Sequence, residues 1–137
     1  MDENKLPKMA QSTVHAGFPS PAQDYMSGGI DLNRELVRHP DATFYVRVSG
    51  DSMTGAGISD GDVLVVDRSL DPRSGAVAVC CLDGEFLVRR LRFGGNASSR
   101  TVSLIAENPS YKPIKINPGN EFSVWGIVTW IIKQLEK

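Results

Sequence analysis

Sustained patterns of apolar and polar residues begin about a third of the way along this chain, and from there they are mostly those of strands. Thr43-Phe-Tyr-Val-Arg-Val48 is aromatic and β-branched with partial alternation, which predicts a strand. Asp62-Val-Leu-Val-Val-Asp67 is a continuous apolar run closed by acids and fits a buried strand. Gly75-Ala-Val-Ala-Val-Cys-Cys-Leu82 and Glu85-Phe-Leu-Val-Arg-Arg-Leu91 flank Asp83-Gly84, a two-residue hairpin signal. Thr101 to Ala106 and Phe122 to Ile132 supply further strands. Gly94-Gly-Asn-Ala-Ser-Ser99 reads as a mobile loop, and Lys133 to Lys137 as a tail that frays or curls. One short helix is expected at Asp31-Leu-Asn-Arg-Glu-Leu-Val-Arg38, where Leu32, Leu36 and Val37 share a face, Asp31 is placed to cap and Pro40 lies just past the end.

Ahead of that helix the pattern is different. From Met1 to about Gln23 there is no sustained period of 2 or 3.6, and Pro7, Pro19 and Pro21 interrupt any regular element. The expected organisation is therefore an extended arm, residues 1–24, followed by one mostly-β domain, residues 25–137, compact and built of short strands with one short helix. No internal repeat is visible. Of the large apolar residues near the end, Phe122, Trp125 and Trp130, the expectation is core rather than interface.

Composition narrows the functional classes. A length of 137 residues with 41% hydrophobic and 23% charged residues suits a single globular domain with one core. The formal net charge of −1 gives no overall basic field for nucleic acid. Cys80 and Cys81 are adjacent, so on a strand they face opposite sides and form no unstrained disulfide with each other. No CxxC or His cluster accompanies them, so neither metal nor cofactor is expected, and two structural thiols fit a reducing compartment. The longest apolar stretch, Val124 to Ile132, is far short of the ~20 residues that span a bilayer. A soluble, cytoplasmic protein is the expectation.

Three segments carry the candidate chemistry. Ser49-Gly-Asp-Ser-Met53 follows a strand and precedes the Gly-rich turn Thr54-Gly-Ala-Gly57. Such a serine often only caps a turn, but it can also project its hydroxyl beside backbone N–H groups able to hold an oxyanion. Ile58-Ser-Asp-Gly-Asp-Val-Leu-Val-Val66 is by itself a turn and a buried strand, close behind Ser52. Arg89-Arg90, by itself, reads as an outward-facing basic pair on a strand.

Taken in order, Gly50-Asp-Ser-Met53, Asp60-Gly-Asp-Val-Leu-Val-Val66 and Glu85-Phe-Leu-Val-Arg-Arg-Leu91 resemble the catalytic domain of the LexA superfamily of self-cleaving proteins, and its UmuD branch in particular. The likeness runs over about residues 14 to 132 and takes in Ala16-Gly-Phe-Pro-Ser-Pro-Ala22, Ile30-Asp-Leu-Asn33 and His39-Pro40. It implies a LexA/UmuD-type fold and a Ser–Lys dyad with Ser52 as nucleophile, acting on the chain's own arm between Ala16 and Gly17. It further implies a homodimer, stimulation of cleavage by the RecA nucleoprotein filament, and a Y-family polymerase subunit of the UmuC type as partner in error-prone translesion synthesis. Sequence-specific DNA binding is not expected, because only sixteen residues precede Gly17, too few for the helix-turn-helix domain of a LexA-type repressor.

One position departs from the family pattern. Where these proteins carry the lysine general base, this chain has Arg89, and no lysine occurs between Lys8 and Lys112. A guanidinium is effectively never deprotonated in a protein, so it cannot accept a serine's proton. Arg89 then marks a replacement made to trap the uncut form, a natural loss in a subunit that acts uncleaved, or a site where another residue serves as base. The resemblance thus implies a serine self-endopeptidase impaired at its base, with a non-enzymatic dimeric interaction subunit as the alternative.

Overall fold

A computed structural model describes residues 6–10, 13 and 26–137. The chain divides into two compact units, residues 1–38 and 39–137. In the first, β1 (Lys8–Ala10) pairs antiparallel with β2 (Met26–Gly29), with Lys8 opposite Gly29. Neither strand was expected: at three and four residues they are too short to show a period. Helix α1 (Leu32–Leu36) follows, and the Asp31 side chain caps it by accepting the Asn33 N–H at 3.0 Å.

The second unit opens with a 3₁₀ turn at Pro40–Ala42 and continues through β3 (Thr43–Arg47), β4 (Val63–Asp67), β5 (Val77–Leu82), β6 (Glu85–Asn96), β7 (Ser99–Ile105), β8 (Ile114–Lys115) and β9 (Phe122–Ile132). These seven strands form one antiparallel sheet in the order β3-β4-β9-β5-β6-β7-β8, so the chain is mostly β as expected. At the β5–β6 hairpin Asp83 and Gly84 both take positive φ, 49° and 84°, as the primed turn signalled by the sequence requires.

Two expectations need correction. Gly94–Ser99 is not a loop: β6 and β7 run on through it, leaving only residues 97 and 98 as the turn. The Asn96 side chain holds that turn by accepting from Ser98 N, Ser98 Oγ and Ser99 N. Trp125 and Trp130 are not core residues but are 39% and 49% exposed. Trp125 falls on the outward side of the alternation set by Phe122 and Val124, and the pairing of β9 shifts register twice, leaving Thr129 extra against β4 and Trp125 extra against β5. Each bulge breaks the alternation from which the inward side would be read. Trp125 instead packs edge-on against Phe86 and Phe44, with Arg68 over its ring.

The apolar residues collect in two clusters. Ala76, Ala78, Cys80, Leu91, Leu104 and Ile127 form one; Met53, Ile58, Leu64, Val66 and Val79 form the other. Alternation along β5 explains the division, since Ala78 and Cys80 enter the first cluster and Val79 the second. The second cluster bears on the candidate site, because Met53 pins the loop that carries Ser52.

Two buried carboxylates fasten segments to this body. Asp67 accepts from His39 Nδ1 at 2.6 Å and from Ser69 N and Oγ, and Asp62 accepts from Lys133 Nζ at 2.5 Å and from Ser59 N. Burial acts to raise both carboxyls, but the hydrogen bonds outweigh it and leave both below their ordinary value. Such a group binds fewer protons folded than unfolded. Its stabilisation is therefore complete above the unfolded value of about 4 and is lost as pH falls through the lower folded value. The thermal unfolding midpoint is expected to drop as pH falls below about 4, and D62N or D67N to flatten that drop, as calorimetry at several pH values checks.

Candidate active site

Ser52 stands on a loop held on both sides. Val48 closes the approach, its N–H donating to Asp62 O and its carbonyl accepting from Gly61 N, both at 2.8 Å. Gly50 then turns the chain at φ +96°, a conformation open chiefly to glycine, and its N–H donates to Asp60 Oδ1. Asp51 is gripped twice: its carbonyl accepts from Asn108 Nδ2 at 2.9 Å and its carboxylate from the Tyr111 hydroxyl at 2.6 Å. On the other side Met53 is 2% exposed within the second cluster, and its carbonyl accepts from Ala56 N and Ile58 N. Ser52 is thus fixed between an anchored residue and a buried one. Among the described residues, nothing accepts the backbone N–H of Ser52 or of Met53.

Arg89 meets this loop from β6. It shares strand parity with Leu87 and Leu91, which pack into the first cluster, so its stem runs inward and only 8% of the residue is exposed. The outward-facing reading of the Arg89-Arg90 pair therefore fails for Arg89. Arg89 Nη1 donates to Ser52 Oγ at 2.8 Å and to Val88 O at 2.9 Å. The guanidinium carbon lies 5.6 Å from the centre of the Tyr111 ring. Arg90, of opposite parity, pairs with Glu107 instead. Ser52 and Arg89 share a cleft of about 350 Å³ whose walls include Val46, Val48, Val79 and Leu87. Ala16 and Gly17, the expected cleavage pair, lie outside the described residues.

Residues 8–129 match the peptidase S24-like family. The chain belongs to that family. Protein MucA of Escherichia coli is 44% identical over 117 residues, covering 85% of this chain and 77% of its own length. Protein ImpA of Escherichia coli is 37% identical over 131 residues, 96% of this chain and 86% of that protein. Protein SamA of Salmonella typhimurium is 40% identical over 117 residues, 85% and 78% of the two chains. Kinship with the UmuD-like branch of the self-cleaving serine peptidases, expected from the motifs, is thereby established.

For this S24-like chain the chemistry of the cleft is one-sided. Every polar hydrogen of a guanidinium is a donor and it has no lone pair to offer, so the Nη1–Oγ bond occupies the serine's oxygen without drawing off its proton. Cys80 offers no substitute nucleophile. It is fully buried, and burial, only partly offset by the Arg89 charge, pushes its thiol up to about 11. A second serine–lysine contact does exist, Lys133 Nζ to Ser59 Oγ at 3.0 Å. There Lys133 Nζ also donates to the buried Asp62 carboxylate at 2.5 Å, and towards Ser59 Oγ it is likewise the donor. Among the described residues no group of three or more His, Cys, Asp or Glu is arranged to hold a metal, and no helix is long and apolar enough to cross a membrane.

Tyr111 and Asn108 escaped the sequence reading. Nothing in Asn108-Pro-Ser-Tyr111 announces that it clamps a residue some sixty positions earlier, and only the sheet topology brings the two together. The hydrogen bond to Asp51 and the charge of that carboxylate raise the Tyr111 phenol above its ordinary value, against a smaller lowering by Arg89. D51N is accordingly expected to bring the Tyr111 titration down toward the ordinary value of about 10, followed by NMR of the ring carbon bearing the hydroxyl.

Proposed function

We propose that this chain is a UmuD-like SOS mutagenesis protein whose self-cleaving site is silenced at its base position. The observation that carries this reading is the 2.8 Å contact from Arg89 Nη1 to Ser52 Oγ inside the cleft. Ser52 supplies the hydroxyl, and the N–H groups of Ser52 and Met53, unengaged among the described residues, suit an oxyanion formed during attack on a peptide carbonyl. The bond addressed is Ala16–Gly17, where a small Ala fits a narrow pocket and Gly lets the attacking backbone approach. Residue 89 stands where a base must stand, and a guanidinium there leaves the proton on the serine.

The chain on this reading stays whole and acts uncut in the cytoplasm. It forms a homodimer, meets the RecA nucleoprotein filament, and serves a UmuC-like Y-family polymerase subunit, with no sequence-specific DNA binding of its own. Incubation with RecA filaments and ATP tests this. The unaltered chain is expected to yield no fragment beginning at Gly17, whereas R89K yields it. Appearance of that fragment from the unaltered chain overturns the silenced site, and its absence from R89K overturns the peptidase reading.

A further inference from the structure

Arg89 is only 8% exposed as a residue, yet no carboxylate lies within ion-pair distance of it among the described residues. A buried charge without a counterion is costly, and proteins ordinarily pair it. Asp51 and Glu85 line the same cleft, but Asp51 is engaged by Tyr111 and neither reaches Arg89. The donors on Arg89 are divided in a telling way. Nη1 is used, one bond going to Ser52 Oγ and one to Val88 O. Nε and Nη2 have no partner among the described residues, where no polar side-chain atom is both buried and unsatisfied, so they are accessible on a residue that lines the cleft. Together they form the side-on edge of the guanidinium, two parallel N–H groups spaced to bind both oxygens of a carboxylate.

The surroundings supply more donors and the right walls. The Ser52 hydroxyl, its oxygen occupied by Arg89, keeps its own hydrogen to give, and among the described residues the N–H groups of Ser52 and Met53 beside it are unengaged. Val46, Val48, Val79 and Leu87 make part of the wall apolar beside the charged Arg47, Asp51 and Glu85, a mixed lining that suits a peptide end more than a strongly hydrated phosphate.

We propose that the Arg89–Ser52 cleft is a receptor for the C-terminal carboxylate of an extended peptide ending in a small residue. The Nε/Nη2 edge of Arg89 takes the carboxylate side-on while Ser52 donates its hydroxyl hydrogen. This rests on the reading that the cleft accepts a peptide, and it assigns to the arginine a binding role that a lysine base would not fill. An ammonium offers a point charge without the planar fork.

The test is calorimetric titration of the full chain with the heptapeptide Ala10-Gln-Ser-Thr-Val-His-Ala16, prepared with a free C-terminal carboxylate and as its amide. The acid is expected to bind about tenfold or more tighter than the amide, as loss of a charge-assisted bidentate bond predicts. R89Q is expected to abolish that preference and S52A to reduce it. Equal affinity of acid and amide on the unaltered chain overturns the proposal without any variant. So does a preference that survives R89Q, and so does acetate or inorganic phosphate binding as tightly as the peptide acid. Cleavage by R89K is a separate readout: if R89K cuts but the acid and amide bind alike, this inference fails while the peptidase reading stands.

Discussion

R89K is expected to convert a chain that stays whole into one that cuts itself after Ala16. The argument is one of reach and charge. Lysine ends one covalent bond short of the arginine's terminal nitrogens, and the present Nη1–Oγ distance is 2.8 Å, so an amine at residue 89 needs only a small adjustment to meet Ser52 Oγ. The site is 8% exposed and walled by valines and leucine, and such desolvation lowers a lysine's pKa, so a useful fraction is neutral near neutral pH. A positioned general base is typically worth about 10²–10⁴ in rate, and the cleavage gained over the unaltered chain should be at least of that order. S52A in the R89K background should abolish it, and R89Q should gain nothing, because an amide side chain cannot take the proton either. Intact-mass spectrometry over hours distinguishes these outcomes.

The second large effect is expected at Met53. This side chain is 2% exposed among Ile58, Leu64, Val66 and Val79, and its carbonyl organises the turn that follows Ser52. M53A removes most of a buried side chain and leaves a cavity, a change that costs about 2–5 kcal/mol. In a domain that opens cooperatively this appears as a fall in denaturation midpoint, while M53L, close in volume, should cost less than about 1.5 kcal/mol. The consequence reaches the site as well. Combined with R89K, M53A should slow self-cleavage even at temperatures where the chain remains folded, since Ser52 loses one of its two anchors. If M53A lowered stability but left the R89K rate unchanged, the loop's placement would not depend on this anchor.

Most strands were legible because their signals are local. The Asp83-Gly84 turn fixes the β5–β6 hairpin from four residues of sequence, and the Val63–Asp67 run is apolar enough to declare a buried strand. What escaped depends on pairing. β9 inserts between β4 and β5 from the far end of the chain; Trp125 takes the outward side opposite Phe122 and Val124, and two bulges then leave no single alternation from which the side of Trp130 can be read. Gly94–Ser99 looked like a loop because glycine and serine are weak strand formers, yet strand pairing carries the hairpin through it. For the site, Ser52 and Arg89 were both singled out by motif, and the fold brings them into hydrogen-bonding contact. The inward course of Arg89 follows from its parity with Leu87 and Leu91, but a charged residue on an apolar parity is easily misread without the core in view. The clamp of Tyr111 on Asp51 lay beyond any local pattern, because sixty residues of β topology separate its two halves.

The measurement that bears most directly on the proposed silencing of the site is the intact mass of the unaltered chain held at pH values from about 7 to about 10. A lysine base would deliver more product as pH rises and its amine loses its proton, whereas a guanidinium remains a donor throughout this range. The mass is expected to stay that of residues 1–137 at every pH, with R89K alone showing a fragment that begins at Gly17 and grows with alkalinity. Accumulation of that same fragment from the unaltered chain, abolished by S52A, would contradict the account.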